Sequence, residues 1–177
     1  MLLSTPQAPA GARASADEAA VRQVIGEMFD AYARADLEGF MARRSRVSPD
    51  YAARREATAQ VLAGTRDIRL NSLAVEGVVV EGARARARVN AELTGADAST
   101  GGSSPQLGRL RRAVSLVREA SGWKVWGYVP VEQELGDALA SVPSAAERQR
   151  LLRSEAEFVT LDLVRLLLNA AEARAGG

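Results

Sequence analysis

The stretch Gly122–Pro130, which reads Gly-Trp-Lys-Val-Trp-Gly-Tyr-Val-Pro, decides the fold of this 177-residue chain. It contains both tryptophans of the sequence, and its large side chains alternate with the period of two that is typical of a β-strand. Because proline cannot donate to a sheet ladder, the strand is expected to stop at the final proline. The alternation predicts that Trp123 and Val125 pack into a core, and that Trp126 and Tyr128 lie on the outer face of the sheet.

Three further strands are predicted upstream, and together with the first they form an antiparallel meander. One begins near Asp67 and contains an irregularity at Glu76-Gly77. The next has the clearest alternation in the chain, because apolar and polar side chains alternate from Ala83 to Leu93. Another covers 109–118. The segment 94–108 is rich in glycine, serine and threonine, which predicts a long mobile loop between strands.

Two helices are predicted before the sheet. Apolar residues recur at helical spacing over Asp17–Arg43, with a break near Asp36, and Ser15–Glu18 has the pattern of a capping box at the start. A second helix is expected with Ser48 as its N-cap, Pro49 at its first helical position and Gly64 at its end. The predicted fold class is therefore α+β: a cone-shaped, curved antiparallel sheet with the N-terminal helices packed in its concave face, plus a C-terminal helical extension.

The sequence after the last strand predicts three short helices, at Glu132–Ala140, Ser144–Leu152 and Leu161–Arg174. The third has apolar residues around nearly its whole circumference, which favours packing against another surface. The expected domain organisation is a disordered tail or signal remnant at 1–16, an α+β domain at 17–130 and a helical extension at 131–177.

Composition excludes several functional classes. The chain has no cysteine and no histidine, which removes thiol nucleophiles, disulfides, Cys/His zinc sites and imidazole bases, so neither a metal nor a cofactor is expected. The formal net charge of +1 gives no reason to expect nucleic acid as a partner. No apolar run approaches the ~20 residues that span a bilayer, so no membrane partner is expected either. The predicted location is the cytoplasm, or the periplasm or exterior if a signal peptide preceded this sequence.

The phrase Phe29-Asp-Ala-Tyr-Ala-Arg-Ala-Asp-Leu-Glu-Gly-Phe40, two helices and a closing Gly-Trp-Lys-Val-Trp strand resemble the nuclear-transport-factor-2-like superfamily, including its SnoaL-like and ketosteroid-isomerase branches. The resemblance covers about 17–130. In addition, 145–164 is similar to the segment that precedes tetratricopeptide repeats in bacterial proteins ending in a CHAT protease domain. This second resemblance implies a bacterial origin and a helical-repeat or protease module as a partner.

The chain departs from the enzymatic branches of that superfamily. The resemblance implies a tyrosine two turns before Asp36, but Met28 stands there, and the segment that usually carries a carboxylate reads Arg43-Arg-Ser-Arg-Val47. Glu27 and Asp30 are the remaining acidic candidates on the first helix. Lone carboxylates of this kind act more often as caps or ion pairs than as general bases. We therefore assign no catalytic residue.

Two candidate surfaces remain. An aromatic stripe on the first helix, together with one tryptophan, would form either a pocket for a small apolar ligand or simply part of the core; its residues are Met28, Phe29, Tyr32, Phe40 and Trp123. The outer sheet face would carry an interaction surface of arginines and aromatic rings, or arginines that pair with glutamates across strands. Its residues are Arg84, Arg86, Arg88, Trp126 and Tyr128.

The sequence favours a non-catalytic ligand-binding or protein-interaction domain, of accessory or scaffold type, that forms a homodimer through its sheet or docks to a helical-repeat or protease module. The alternative is a SnoaL-like isomerase, cyclase or dehydratase with an apolar substrate in the cone. An open cavity with a convergent carboxylate or tyrosine would favour the enzyme.

Overall fold

A computed structural model describes residues 10–155, which form five helices and four strands. The helices are α1 (Ala10–Ala33), α2 (Leu37–Ala42), α3 (Tyr51–Gly64), α4 (Val131–Ser141) and α5 (Ala145–Ser154). The strands are β1 (Thr65–Glu81), β2 (Arg84–Asp97), β3 (Gly108–Glu119) and β4 (Gly122–Pro130). None of the helices in this range is both long enough and apolar enough to cross a membrane.

The four strands form one sheet in the order β1-β2-β3-β4, so each strand lies beside its neighbour in sequence. The β1–β2 and β2–β3 pairs are antiparallel. The pairing of β1 with β2 shifts register between Glu76 and Val79, next to Gly77 at a φ of 55°, which confirms the predicted irregularity. The predicted α+β class, with helices against a curved antiparallel sheet, is confirmed.

The main core lies between α1 and one face of the sheet. Val21, Ile25 and Met28 recur at helical spacing, so they share the face of α1 that packs on the sheet. Trp123 and Val125 are 5% and 0% exposed, as the period of two in β4 predicts. The sheet-side members of the core are Ala85, Ala87, Val89, Ala91, Leu93, Val114 and Leu116.

The chain divides into two compact units, the first ending at Tyr128 and the second beginning at Val129. In the second unit, Val131, Leu135 and Leu139 of α4 are buried in a small cluster with leucines of α5. The predicted helix start at Ser144 is confirmed, because Ser144 is the N-cap of α5 and its Oγ accepts a hydrogen bond from the backbone N–H of Glu147 at 3.2 Å. The predicted helix at 161–174 lies outside the described residues, as do residues 1–9.

Two predicted helix starts are wrong. Helix α1 begins at Ala10 rather than Asp17, so residues 10–16 belong to a helix and not to a disordered tail. Alanine recurs through this segment, and it has the highest helix propensity of any residue. Helix α3 begins at Tyr51, behind Asp50 as the N-cap residue. The Ser48 hydroxyl instead lies 2.6 Å from the carbonyl oxygen of Trp126 and also contacts Asp50.

The predicted loop at 94–108 is also shorter than expected, because β2 continues to Asp97. The Asp97 carboxylate then organises the turn: its Oδ1 accepts hydrogen bonds from the backbone N–H groups of Ser99 and Thr100 at 2.9 and 2.8 Å. The Ser99 hydroxyl, the two N–H groups and the Thr100 hydroxyl together lower the pKa of Asp97 to about 2. The turn residues that suggested mobility are thus the ones that cap this carboxylate.

We expect Asp97→Ala to speed hydrogen exchange at the amides of Ser99 and Thr100, since both lose their acceptor. The stabilisation from the Asp97 charge is present above the ordinary pKa of 3.8 and is lost as pH falls through about 2. Exchange measured by NMR over this range checks both points. Asp97→Asn is the control, because it keeps an acceptor oxygen but removes the titration. Identical exchange in Asp97→Ala and the unmodified protein would contradict this account of the turn.

Candidate functional site: the outer sheet face and a buried arginine cluster

The predicted pocket residues come together as part of the main core. Met28, Phe40 and Trp123 are 2%, 3% and 5% exposed, and all three belong to the same buried cluster. Phe29 and Tyr32 pack against that cluster, and the rings of Tyr32 and Phe40 are 5.6 Å apart between centroids. Burial, with a smaller contribution from Tyr128, raises the pKa of Tyr32 to about 12, so its phenol stays protonated.

The contacts of the three acidic candidates on the predicted first helix indicate structural roles. The Asp36 carboxylate caps α2 by accepting a hydrogen bond from the Gly39 N–H at 2.8 Å, as its position in a helix break predicted. The Glu27 carboxylate pairs with Arg43 at 3.1 Å. Asp30 is exposed. These three carboxylates thus act as a helix cap, an ion-pair partner and an exposed charge, and none is enclosed in the core.

A fourth carboxylate, missed by the sequence analysis, holds Trp123 in place. The indole Nε1–H donates to Asp17 Oδ1 at 3.4 Å. The guanidinium of Arg118 lies over the indole ring at 4.7 Å from the centroid and also pairs with Asp17. The polar edge of Trp123 is thus satisfied while its ring is buried, which is a structural role.

The opposite face of the sheet carries a groove with a volume of about 360 Å³. Register places its residues in two rows across the strands, Val79–Arg86–Ser115 and Glu81–Arg84–Val117. Trp126 of β4 closes the groove, as expected for a side chain on the outer face. Val79 is 44% exposed, so an apolar side chain faces solvent here. The lining residues are Val79, Glu81, Arg84, Ala85, Arg86, Ser115, Leu116, Val117 and Trp126.

The charges on this face are mixed. Arg86 Nη2 lies 3.9 Å from the Glu81 carboxylate, and the Arg109 Nε lies 3.7 Å from that of Glu92. Cross-strand pairing of arginine with glutamate was the alternative prediction for this face, and these contacts are of that kind. The side chains of Arg86 and Arg109 are largely exposed, so solvent screens both ion pairs and makes them weak. Arg88, opposite Glu76 in register, does not line the groove.

Tyr128 does not share the groove with Trp126, which corrects the prediction that both rings lie on the outer face. Tyr128 packs against the main core, and two guanidinium carbons lie over its ring, those of Arg44 at 5.4 Å and Arg54 at 4.4 Å from the centroid. The segment after α2 explains the difference. It adds to β4 through an isolated parallel bridge between Arg44 and Val125, which brings Arg44 to the tyrosine.

Arg44 is the functional candidate that the sequence analysis did not single out, although the run of arginines at 43–47 was noted. Its side chain is fully buried, and Nη2 donates to both oxygens of Asp50, at 2.9 and 3.1 Å. Burial lowers the pKa of the Arg44 guanidinium, while Asp50 and Tyr128 act in the opposite direction. Burial alone would raise the pKa of Asp50, but the Ser48 hydroxyl, Arg44 and Arg54 bring it below its ordinary value.

Within residues 10–155, no group of three or more acidic side chains is placed to hold a metal ion. A second groove of about 340 Å³ is formed by the start of β1 and the turn after β2. Its lining is mainly backbone and small polar residues, and Asp67 stands at its edge with a φ of 52°.

Comparison with solved structures identifies the fold. A protein from Streptomyces avermitilis, described as a candidate dehydratase of the NTF2-like family, superposes with a TM-score of 0.53 at 17% identity, over 64% of this chain and 94% of that one. A ketosteroid isomerase-like protein from Erwinia carotovora atroseptica matches at 0.53 and 19%, over 63% and 92%. An NTF2-like superfamily protein from Salmonella enterica matches at 0.52 and 15%, over 66% and 92%.

These similarities show that the chain has the nuclear-transport-factor-2-like fold, as the residues of α1, α2 and β4 implied. No protein-family model matches the sequence, and no curated protein matches it either. At these identities the similarity concerns the fold alone, because one fold carries many functions.

Proposed function

We propose that this protein is a non-catalytic binding domain that forms a homodimer through the outer face of its sheet. The observation that carries the proposal is the groove beside Trp126, where an exposed Val79 and charges of both signs lie together. An aromatic ring at the edge of an apolar groove is the kind of anchor that dominates protein interfaces.

A second copy of the chain fits this face because the face is complementary to itself. Arg86 and Glu81 lie side by side, with exposed fractions of 64% and 70% for their side chains. In a twofold dimer each patch meets the same patch of its partner, so the arginines of one copy can face Glu81 of the other. The pair at 3.9 Å within one copy is long enough to rearrange at little cost.

The arguments against catalysis come from the concave face. The predicted pocket residues there pack as core, and the acidic candidates of α1 and α2 serve as cap, ion pair and exposed charge. The alternative, a SnoaL-like isomerase, cyclase or dehydratase, is suggested by a structural neighbour that is described as a candidate dehydratase. Among residues 10–155, the acidic candidates Glu27, Asp30 and Asp36 do not converge on a common point for such chemistry. A helical-repeat or protease module as a further partner also remains a proposal, carried by the resemblance of 145–164.

We expect Trp126→Glu to raise the dimer dissociation constant roughly a hundredfold, because it removes the aromatic anchor and adds a charge to the groove. Sedimentation equilibrium over a range of concentrations measures this constant. Lys124→Gln is the matched control: it alters the same strand, but the Lys124 ammonium donates to the Ala42 carbonyl and does not line the groove.

The control should dimerise like the unmodified protein. If the unmodified protein is monomeric at every concentration, or if Trp126→Glu dimerises as well as Lys124→Gln, the groove is not the dimer interface and the proposal fails.

A further inference from the structure

A cluster of two arginines, one aspartate and one tyrosine lies where the segment after α2 joins the sheet. Its members are Arg44, Asp50, Arg54 and Tyr128, and we refer to it as the Arg44 cluster. Backbone hydrogen bonds fix its base, since Val125 donates to the Arg43 carbonyl at 2.8 Å and accepts from the Ser45 N–H at 2.8 Å. The cluster belongs to the first compact unit and is separate from the groove on the outer face.

The charges of the Arg44 cluster do not balance. Asp50 supplies one negative charge, and it faces two guanidinium groups, Arg44 at 2.9 Å and Arg54 at 3.7 Å. The cluster therefore carries a net charge of +1, and the Arg44 side chain within it is 0% exposed. Arg44 and the partly exposed Arg54 thus share one carboxylate, and a monovalent anion would neutralise the excess charge.

Hydrogen-bond donors of the cluster are also unmatched. Among the described residues, no protein atom accepts a hydrogen bond from Nε or Nη1 of Arg44, or from Nε of Arg54. All three nitrogens are buried, as is the hydroxyl of Ser45, which has no partner in the same part of the chain. Buried polar groups in native proteins are nearly always paired, so several unpaired donors on two neighbouring arginines indicate a missing acceptor.

We propose that the Arg44 cluster binds the carboxylate group of a small ligand. A carboxylate supplies both the acceptor oxygens and the single negative charge that the cluster lacks. Guanidinium groups suit this role because they present planar donors and remain charged. The Tyr128 ring, with both guanidinium groups over it, holds the two cations in fixed positions before the ligand arrives.

The ligand enters from the side of α3. The side chains of Asp50 and Arg54 are 38% and 32% exposed, whereas that of Arg44 is buried behind them. An entering carboxylate therefore meets Arg54 first and then replaces part of the contact between Arg54 and Asp50, whose separation of 3.7 Å exceeds a hydrogen bond. This assignment is independent of the dimer interface, since it involves none of the groove residues.

NMR of the arginine Nε–H groups in the full chain tests the proposal. Sodium acetate is titrated into the protein, with sodium chloride at equal ionic strength and sodium phosphate as parallel titrations. We expect acetate to move the Nε–H resonance of Arg44 to a saturating position, while chloride moves it little. A saturating response to phosphate without one to acetate would overturn the carboxylate assignment, and equal responses to acetate and chloride would overturn the site itself.

Two neighbouring variants of α3 separate a specific site from general charge. Arg54→Gln removes one cation of the cluster at a partly exposed position, so the fold should be retained, and acetate should bind roughly tenfold more weakly. Arg55→Gln is the matched control, because Arg55 pairs with Glu38 away from the cluster. Its acetate affinity should equal that of the unmodified protein. Equal affinities for Arg54→Gln and Arg55→Gln would contradict the proposal.

Discussion

Replacing Trp123 by alanine is expected to lower the free energy of unfolding by about 3–5 kcal/mol, the range found for aromatic truncations in cores. The indole is 5% exposed, packs on the buried face of α1 and donates to Asp17, so the substitution leaves a cavity and removes one hydrogen bond to Asp17. Urea denaturation followed by circular dichroism measures the change. The dependence on denaturant should stay the same, since the unfolded state exposes nearly the same surface.

Val47→Ala is the control for the effect of Trp123→Ala. Val47 is 75% exposed, so removing its methyl groups should change the unfolding free energy by less than about 0.5 kcal/mol. Comparable losses in the two variants would mean that Trp123 does not lie in the core and that the face assignment of β4 is reversed.

Asp50→Ala should destabilise the first compact unit by about 2–3 kcal/mol, because it leaves the buried Arg44 without a counter-charge. The figure is below that for a fully buried ion pair since the Asp50 side chain is 38% exposed and solvent screens part of the loss. Thermal and urea unfolding check the value. The double variant Arg44→Met with Asp50→Ala should recover stability relative to Asp50→Ala alone, because no unpaired buried charge remains.

The same pair predicts an acid dependence. The pKa of Asp50 is lower in the folded protein than its ordinary value of 3.8. Its contribution is therefore fully present above pH 3.8 and is lost as pH falls through the lower folded-state value. Unfolding curves of Asp50→Ala and the unmodified protein should converge as pH drops through this range. Curves that stay equally far apart throughout would show that the Asp50 charge does not support the fold.

Local sequence patterns were sufficient for the sheet and for most of the helices. The period of two places Trp123 and Val125 in the core because side chains of a strand alternate strictly between faces. The break at Asp36 is visible because a short acidic side chain is a good helix cap. Within β1, the glycine at 77 marks the register shift for a similar local reason.

Contacts between distant segments could not be predicted in the same way. The alternation of β4 places Tyr128 with Trp126, but Tyr128 packs against the main core, where the parallel bridge between Arg44 and Val125 brings in a segment 81 positions earlier in the chain. That bridge buries the guanidinium of Arg44. Arginine side chains are rarely buried, so a run of arginines in a sequence normally predicts an exposed segment. The sequence also did not predict the ordered turn after Asp97. Its composition indicates a mobile loop, but Ser99 and Thr100 donate hydrogen bonds to the Asp97 carboxylate.

The central claim, that two copies meet at the groove beside Trp126, is tested most directly by the distance between two spin labels. The sequence contains no cysteine, so Val117→Cys gives one labelling position per chain, in the groove, and Ser99→Cys gives a control in the turn after β2. Double electron–electron resonance should show a short, narrow distance for the label at position 117 and a longer one for the label at 99. No dipolar coupling at position 117, in a protein that still dimerises, would contradict the claim.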